Sequence, residues 1–288
     1  MEMNNSKKLA GLLDKRGIDA LLVTSPENRF YATGFQSSAG VAVITKEANY
    51  FFTDFRYFEA AQEIEGFEKI MVGRDRNYNS LINKVIEEHN IKRIGFEDAR
   101  TSVSAHRDLE REINAELVGV GDAILMVRSS KEPWEQERMR KAQKIAEMAF
   151  EEVLGLIRPG VTEKEIAAEI VYRMLRHGAD DTSFDPIVVS GKNSSKPHGV
   201  PSDKKIEYGD FVTMDFGCVY MGYCSDMTRT VAVGSASDKM REIYSIVLRA
   251  QQAGIVAARA GVPGRVVDGA ARKVIDDAGY GDCFGHGF

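Results

Sequence analysis

Tyr208-Gly-Asp-Phe-Val-Thr-Met-Asp-Phe-Gly217, followed by Gly222-Tyr-Cys-Ser-Asp-Met-Thr-Arg-Thr-Val231, is the stretch whose reading decides the fold. Residues 211 to 217 and 224 to 231 alternate polar and apolar side chains, the period-2 pattern of half-buried strands. A turn centred on Tyr220 and Met221 joins them into a hairpin with Asp215 opposite Asp226, Thr213 opposite Thr228 and Met214 opposite Met227. Directly opposed side chains hold their Cβ atoms roughly 4.5–5.5 Å apart. Two unpaired carboxylates that close repel and raise one pKa, and a pair of divalent cations about 3.5–4 Å apart relieves the repulsion. The spacing therefore points to half of a dinuclear metal site. The plain alternative is two solvated aspartates near a glycine-containing turn.

The flanking residues separate these readings. Phe184-Asp-Pro-Ile-Val-Val-Ser-Gly191, Asn193-Ser-Ser-Lys-Pro-His-Gly199, Pro201-Ser-Asp203 and the closing Gly285-His-Gly-Phe288 stand in order around the hairpin. Together with it they resemble the pita-bread metallopeptidases, in particular the Xaa-Pro branch of aminopeptidase P and prolidase. The resemblance covers the whole length and is specific after about residue 184. It implies an α/β creatinase-like N-terminal domain followed by an α+β pita-bread domain. It also implies a pair of divalent ions, Mn foremost with Co or Zn possible, held by two Asp, one His and two Glu.

By position Asp215 and Asp226 are the two Asp ligands. His198 matches a loop histidine that hydrogen-bonds substrate or intermediate, a role suited to a group that donates or accepts near pH 7. His286 matches the first histidine of the family's Gly-His-Gly-Phe-Gly-His-Gly pattern and is assigned a similar role. The ligand histidine is the second, which would fall past Phe288, as would both Glu. The resemblance thus leaves this chain with two of the five ligands, and negligible turnover is expected of it. Implied partners are proline-containing peptides and a second copy of the chain, as a homodimer. Two other readings stay open: a non-catalytic pita-bread protein that binds partners through its cleft, and an enzyme like methionine aminopeptidase.

An internal repeat supports truncation independently. Residues 145 to 175 read as helix, Arg158-Pro-Gly-Val161, helix, and residues 244 to 276 repeat that order around Ala260-Gly-Val-Pro263, at a period of about one hundred residues. Strands follow the first copy, whereas the sequence stops where those of the second should begin. The pita-bread domain is accordingly expected to be incomplete by roughly 50 residues, with exposed sheet edges.

Residues 1 to 128 form the first expected domain and 129 to 288 the second, the boundary lying at Arg128-Ser-Ser-Lys-Glu-Pro133. Ser130 is the expected cap of a helix starting near Pro133, and Thr162 with Glu165 forms a capping box. In the first domain strands are expected over 17–23, 40–45, 49–53, 68–72, 92–96 and 116–120. Helices are expected over 55–65, 78–89 and 104–113, which gives a mixed sheet.

The net charge of −5 is spread evenly over both domains, which points to no nucleic acid and no anionic membrane surface as partner. No signal peptide and no apolar run of transmembrane length stands out, and Cys218, Cys224 and Cys283 form no CxxC. A cytoplasmic protein with structural thiols is the expectation. His89, His106 and His177 are assigned only solvation. Arg229 is expected to face away from the Asp pair in a structural salt bridge. Asp215-Phe-Gly217 and His106-Arg-Asp-Leu109 are also protein-kinase words, but the Asn required five residues after the catalytic Asp is replaced by Ile113.

Overall fold

In the first strand, β1 (Ala20–Val23), every side chain is buried, and alternate residues enter different cores. That is the signature of a sheet covered on both faces. The structure, a computed structural model, describes residues 5–285. The chain divides into two compact units, residues 1–136 and 137–288.

The first unit runs α1 (Ser6–Arg16), β1, α2 (Pro26–Thr33), β2 (Val41–Thr45), β3 (Asn49–Thr53), α3 (Phe55–Phe58), β4 (Glu68–Met71), α4 (Tyr78–Glu88), β5 (Arg93–Phe96), α5 (Val103–Glu112), β6 (Glu116–Gly119) and α6 (Ala123–Ser129). Its six strands lie in the order β4-β3-β2-β1-β5-β6. The β1–β2 and β2–β3 pairs are antiparallel, and the β3–β4, β1–β5 and β5–β6 pairs are parallel. Leu21, Val23, Ile44 and Phe51 pack with Leu9 and Leu13 of α1. Leu22, Val43 and Phe52 pack with Leu81, Ile82 and Val85 of α4 on the other face.

The mixed sheet is the one the sequence implies, with local differences. β1 begins at Ala20 rather than residue 17, because Gly17 closes α1 in the left-handed conformation. The helix expected over 55–65 breaks after Phe58 and continues as a 3₁₀ turn over Ala60–Glu63. Ser130 does not cap the next helix. It ends α6, and α7 (Pro133–Leu154) is preceded by Glu132, whose backbone N–H donates to the Glu135 carboxylate at 2.8 Å.

In the second unit α7 is followed by α8 (Glu163–Arg176), β7 (Asp181–Thr182), β8 (Ile187–Ser190), β9 (Phe211–Phe216), β10 (Cys218–Tyr220), β11 (Tyr223–Cys224), β12 (Met227–Ala232), α9 (Asp238–Ala257) and α10 (Gly264–Asp277). The Thr162–Glu165 capping box opens α8 as expected. The strands form two three-stranded sheets, β12-β9-β8 and β11-β10-β7. Val212, Met214 and Phe216 alternate inward from β9 against Ile145, Ala149, Ile166 and Ile170 of the two helices. α9 and α10 close a smaller cluster of Ile246, Ala250, Ala271 and Ile275. The helix–loop–helix order of α7 and α8 thus recurs in α9 and α10.

Candidate metal centre

The hairpin forms, in a register different from the expected one. Tyr220 pairs with Tyr223, so the turn residues are Met221 and Gly222. Both have positive φ, 47° and 79°, as a two-residue type I′ turn requires. Gly at the second turn position, rather than symmetry about Tyr220 and Met221, sets the centre. Asp180 accepts from the Met221 N–H at 2.5 Å, and Arg138 lies over the Tyr223 ring.

Every pairing consequently moves by two residues. Asp215 faces Thr228, Thr213 faces Thr230, and Met214 faces Arg229, while Met227 faces Phe216. Asp215 and Asp226 do not oppose each other. A shift of two preserves the face, however, because side chains alternate with period 2. The two carboxylates remain diagonal neighbours on one side, a relation that separates Cα atoms by roughly 7–8 Å.

Local contacts fix this corner. The Thr228 hydroxyl donates to Asp215 Oδ1 at 2.8 Å, and the Thr213 and Thr230 hydroxyls meet at 3.0 Å. Gly217 bridges β9 and β10 where the Ser225 carbonyl crosses so closely that a Cβ would sit 1.9 Å from its oxygen. The Ser225 hydroxyl accepts from the Cys218 N–H at 3.1 Å, and the Ser183 hydroxyl donates to the Ser225 carbonyl at 2.8 Å. Asp226 follows directly, so its backbone is held from both sides.

Partial loss of water around the Asp226 carboxyl, and then the charge of Asp215, hold its pKa above the ordinary carboxylate value. The coupling foreseen for two unneutralised carboxylates is therefore present in the diagonal arrangement. The donor chemistry, two neighbouring carboxylates, fits a hard or borderline divalent cation. Among the described residues no group of three or more His, Cys, Asp and Glu is placed to hold a metal ion.

His198 lies exposed in the loop between β8 and β9. His286 falls outside the described residues. Arg229 faces away from the Asp pair as expected, but its guanidinium donates to the Thr228 carbonyl at 2.8 Å, and among the described residues it forms no ion pair. The histidines assigned only solvation do more. His89 Nε2 meets the Tyr50 hydroxyl at 2.6 Å, and His177 Nε2 meets Glu152 at 2.8 Å. Cys218 is buried, its thiol pushed up chiefly by that burial, and its Sγ donates to the Ala142 carbonyl at 3.2 Å, a structural role. Cys224 and Cys283 are exposed free thiols. Sequence reasoning also passed over Glu163, a carboxylate fully buried at the first turn of α8.

The model of metallopeptidase family M24 matches residues 137–288, and that of the creatinase/prolidase N-terminal domain matches residues 6–130. The chain belongs to metallopeptidase family M24. This M24 chain is 45% identical over 285 residues to the peptidase YqhT of Bacillus subtilis, covering 97% of this chain and 79% of that one. Among solved structures it is similar to an Xaa-Pro dipeptidase from Bacillus anthracis, at 41% identity and a TM-score of 0.92, covering 98% of this chain and 79% of that one. It is also similar to an X-Pro aminopeptidase from Thermotoga maritima, at 37% identity and a TM-score of 0.89, with 97% and 79% covered. The creatinase-like and pita-bread architecture expected from the resemblance is thus the fold of this M24 chain. Among the described residues no helix is long and apolar enough to cross a membrane.

Proposed function

We propose that this chain belongs to a dinuclear metal-dependent peptidase that cleaves the bond between an N-terminal residue and proline. The observation that carries the reading is the placement of Asp215 and Asp226 on one face of the β9–β12 hairpin, electrostatically coupled. The dipeptidase and aminopeptidase names of its structural neighbours support the Xaa-Pro substrate class. Asp215 and Asp226 would hold two divalent ions, Mn foremost with Co or Zn as alternatives. The bound ions supply Lewis-acid polarisation and an activated water.

The chain's own residues do the rest. Thr228 orients Asp215 through its hydroxyl, and the Gly217–Ser225 crossing fixes Asp226. In this reading His198 and His286 hydrogen-bond the substrate. We place the reaction in the cytoplasm, on short proline-containing peptides, in a homodimer.

Mn²⁺ titration with Asp215→Asn and Asp226→Asn, together with hydrolysis of Ala-Pro and Met-Ala, tests this. Loss of Mn²⁺ binding in both variants, with Ala-Pro cleaved in preference to Met-Ala, is the expected result. Equal binding in both variants would remove the metal assignment. Preferential cleavage of Met-Ala would favour the methionine aminopeptidase reading, and cleavage of neither peptide would favour a non-catalytic binding protein.

A further inference from the structure

The loop that carries His198 leaves the sheet at Ser190 and returns along the start of α8. Its return leg is laced to the approach and start of that helix by four backbone hydrogen bonds. Gly160 N–H donates to Ile206 O at 2.9 Å, Ile206 N–H to Val161 O at 2.8 Å, Glu163 N–H to Lys204 O at 3.1 Å, and Lys164 N–H to Ser202 O at 3.2 Å. Between the two legs sits the carboxylate of Glu163, 0% exposed.

One of its oxygens takes the outgoing leg. Glu163 Oε1 accepts from the Ser190 N–H at 2.7 Å, the Ser190 hydroxyl at 2.9 Å and the Asn193 side-chain amide at 3.2 Å. The other takes the returning leg. Glu163 Oε2 accepts from the Ser202 hydroxyl at 2.6 Å and the Ser202 N–H at 3.1 Å. Lys204 extends the network, donating to the Ser190 hydroxyl at 3.0 Å and to Asp210 at 2.8 Å. Asp210 in turn packs against Gly191, where an added Cβ would meet it at 2.5 Å.

A buried carboxylate is kept only where hydrogen bonds replace its lost hydration. Here the replacements come from both ends of one loop, and the stretch between them, Ser195 to His198, is exposed. We infer that Glu163 is a positioning residue for the substrate-contacting loop, closing its two legs at a fixed separation so that His198 is presented in one place. The inference rests on the reading of His198 given above. Glu163 itself lies beneath the loop and acts only through it.

The test uses the whole chain and no turnover. In Glu163→Gln one acceptor oxygen becomes a donor facing other donors, so one leg is released. Amide exchange at Ser190 and Ser202 is expected to rise at least about tenfold, as loss of a hydrogen bond to a charged group implies. The His198 ring resonances are expected to shift and broaden, while exchange in α9 and α10 stays at the wild-type rate. Ser202→Ala, which removes one donor to Glu163 and the acceptor of the Lys204 N–H, carries the same expectation at smaller size should the Gln variant not fold. Unchanged His198 resonances in a folded variant, or a uniform rise of exchange across residues 137–285, would overturn the assignment. Neither outcome bears on peptide cleavage, so a failed hydrolysis assay and a failed positioning test remain separate results.

Discussion

At Gly217 a methyl group would lie 1.9 Å from a backbone oxygen that has no freedom to retreat, because Ser225 is bonded on both sides. Gly217→Ala is expected to cost about 3 kcal/mol, the upper end for overpacking, read as a lowered urea midpoint. Glu97 offers a second expectation. It is buried at 3% exposure and accepts from Thr24 N–H, Ser25 N–H, the Ser25 hydroxyl and the Asn28 amide. Burial pushes its pKa up, but the bonds from Ser25, Asn28 and Thr24 together outweigh it and hold the group below the ordinary 4.5. A depressed folded pKa gives stability that is present above the unfolded value and lost as pH falls through the folded one. Melting of the wild type should therefore drop below about pH 4.5. Glu97→Gln should show a shallower acid slope and a loss of about 2 kcal/mol at pH 7. At this scale the strands around Asp215 and Asp226 were legible because their polar and apolar side chains alternate. Glu163 and Glu97 were not, since the partners that make each special lie 27 to 39 and 69 to 73 residues away.

Among the elements, the Met221–Gly222 turn carries the clearest consequence. Met221 sits at φ 47°, a region where Asn is tolerated far better than an unbranched apolar side chain. Met221→Asn should stabilise the hairpin by about 0.5 kcal/mol and Gly222→Ala should destabilise it by about 1 kcal/mol, both measurable by thermal melting. Thr162→Ala, which removes the capping box of α8, should cost about 1 kcal/mol. Strands and long helices were visible in the sequence because alternation and helical spacing persist over enough residues to be counted. α2 and α6 escaped, at eight and seven residues each. Register was the weakest reading for a physical reason: an even shift leaves the buried and exposed faces unchanged, so the pattern alone cannot distinguish two such alignments, and only the turn residues do.

Over the whole molecule, stability is unevenly distributed. The core of the second unit gathers α7, α8 and both small sheets, whereas α9 and α10 share a four-residue buried cluster and leave Val247, Ile255, Val256 and Val266 at least half exposed. Hydrogen exchange is expected to be faster in α9 and α10 than in α7, and replacing Val247 and Val256 by Lys should reduce binding of an apolar dye without lowering the melting temperature. The two-unit architecture itself followed from the family resemblance. The sheet of the first unit also bears on how copies of the chain could meet. With both its faces covered by helices, only β4 and β6 offer backbone to a newcomer, and each is four residues long and opens on an exposed glutamate, Glu68 or Glu116. Strand addition at either border would crowd that exposed carboxylate against the incoming chain. Should the chain pair with itself, short borders that open on a carboxylate make this sheet a poor joint.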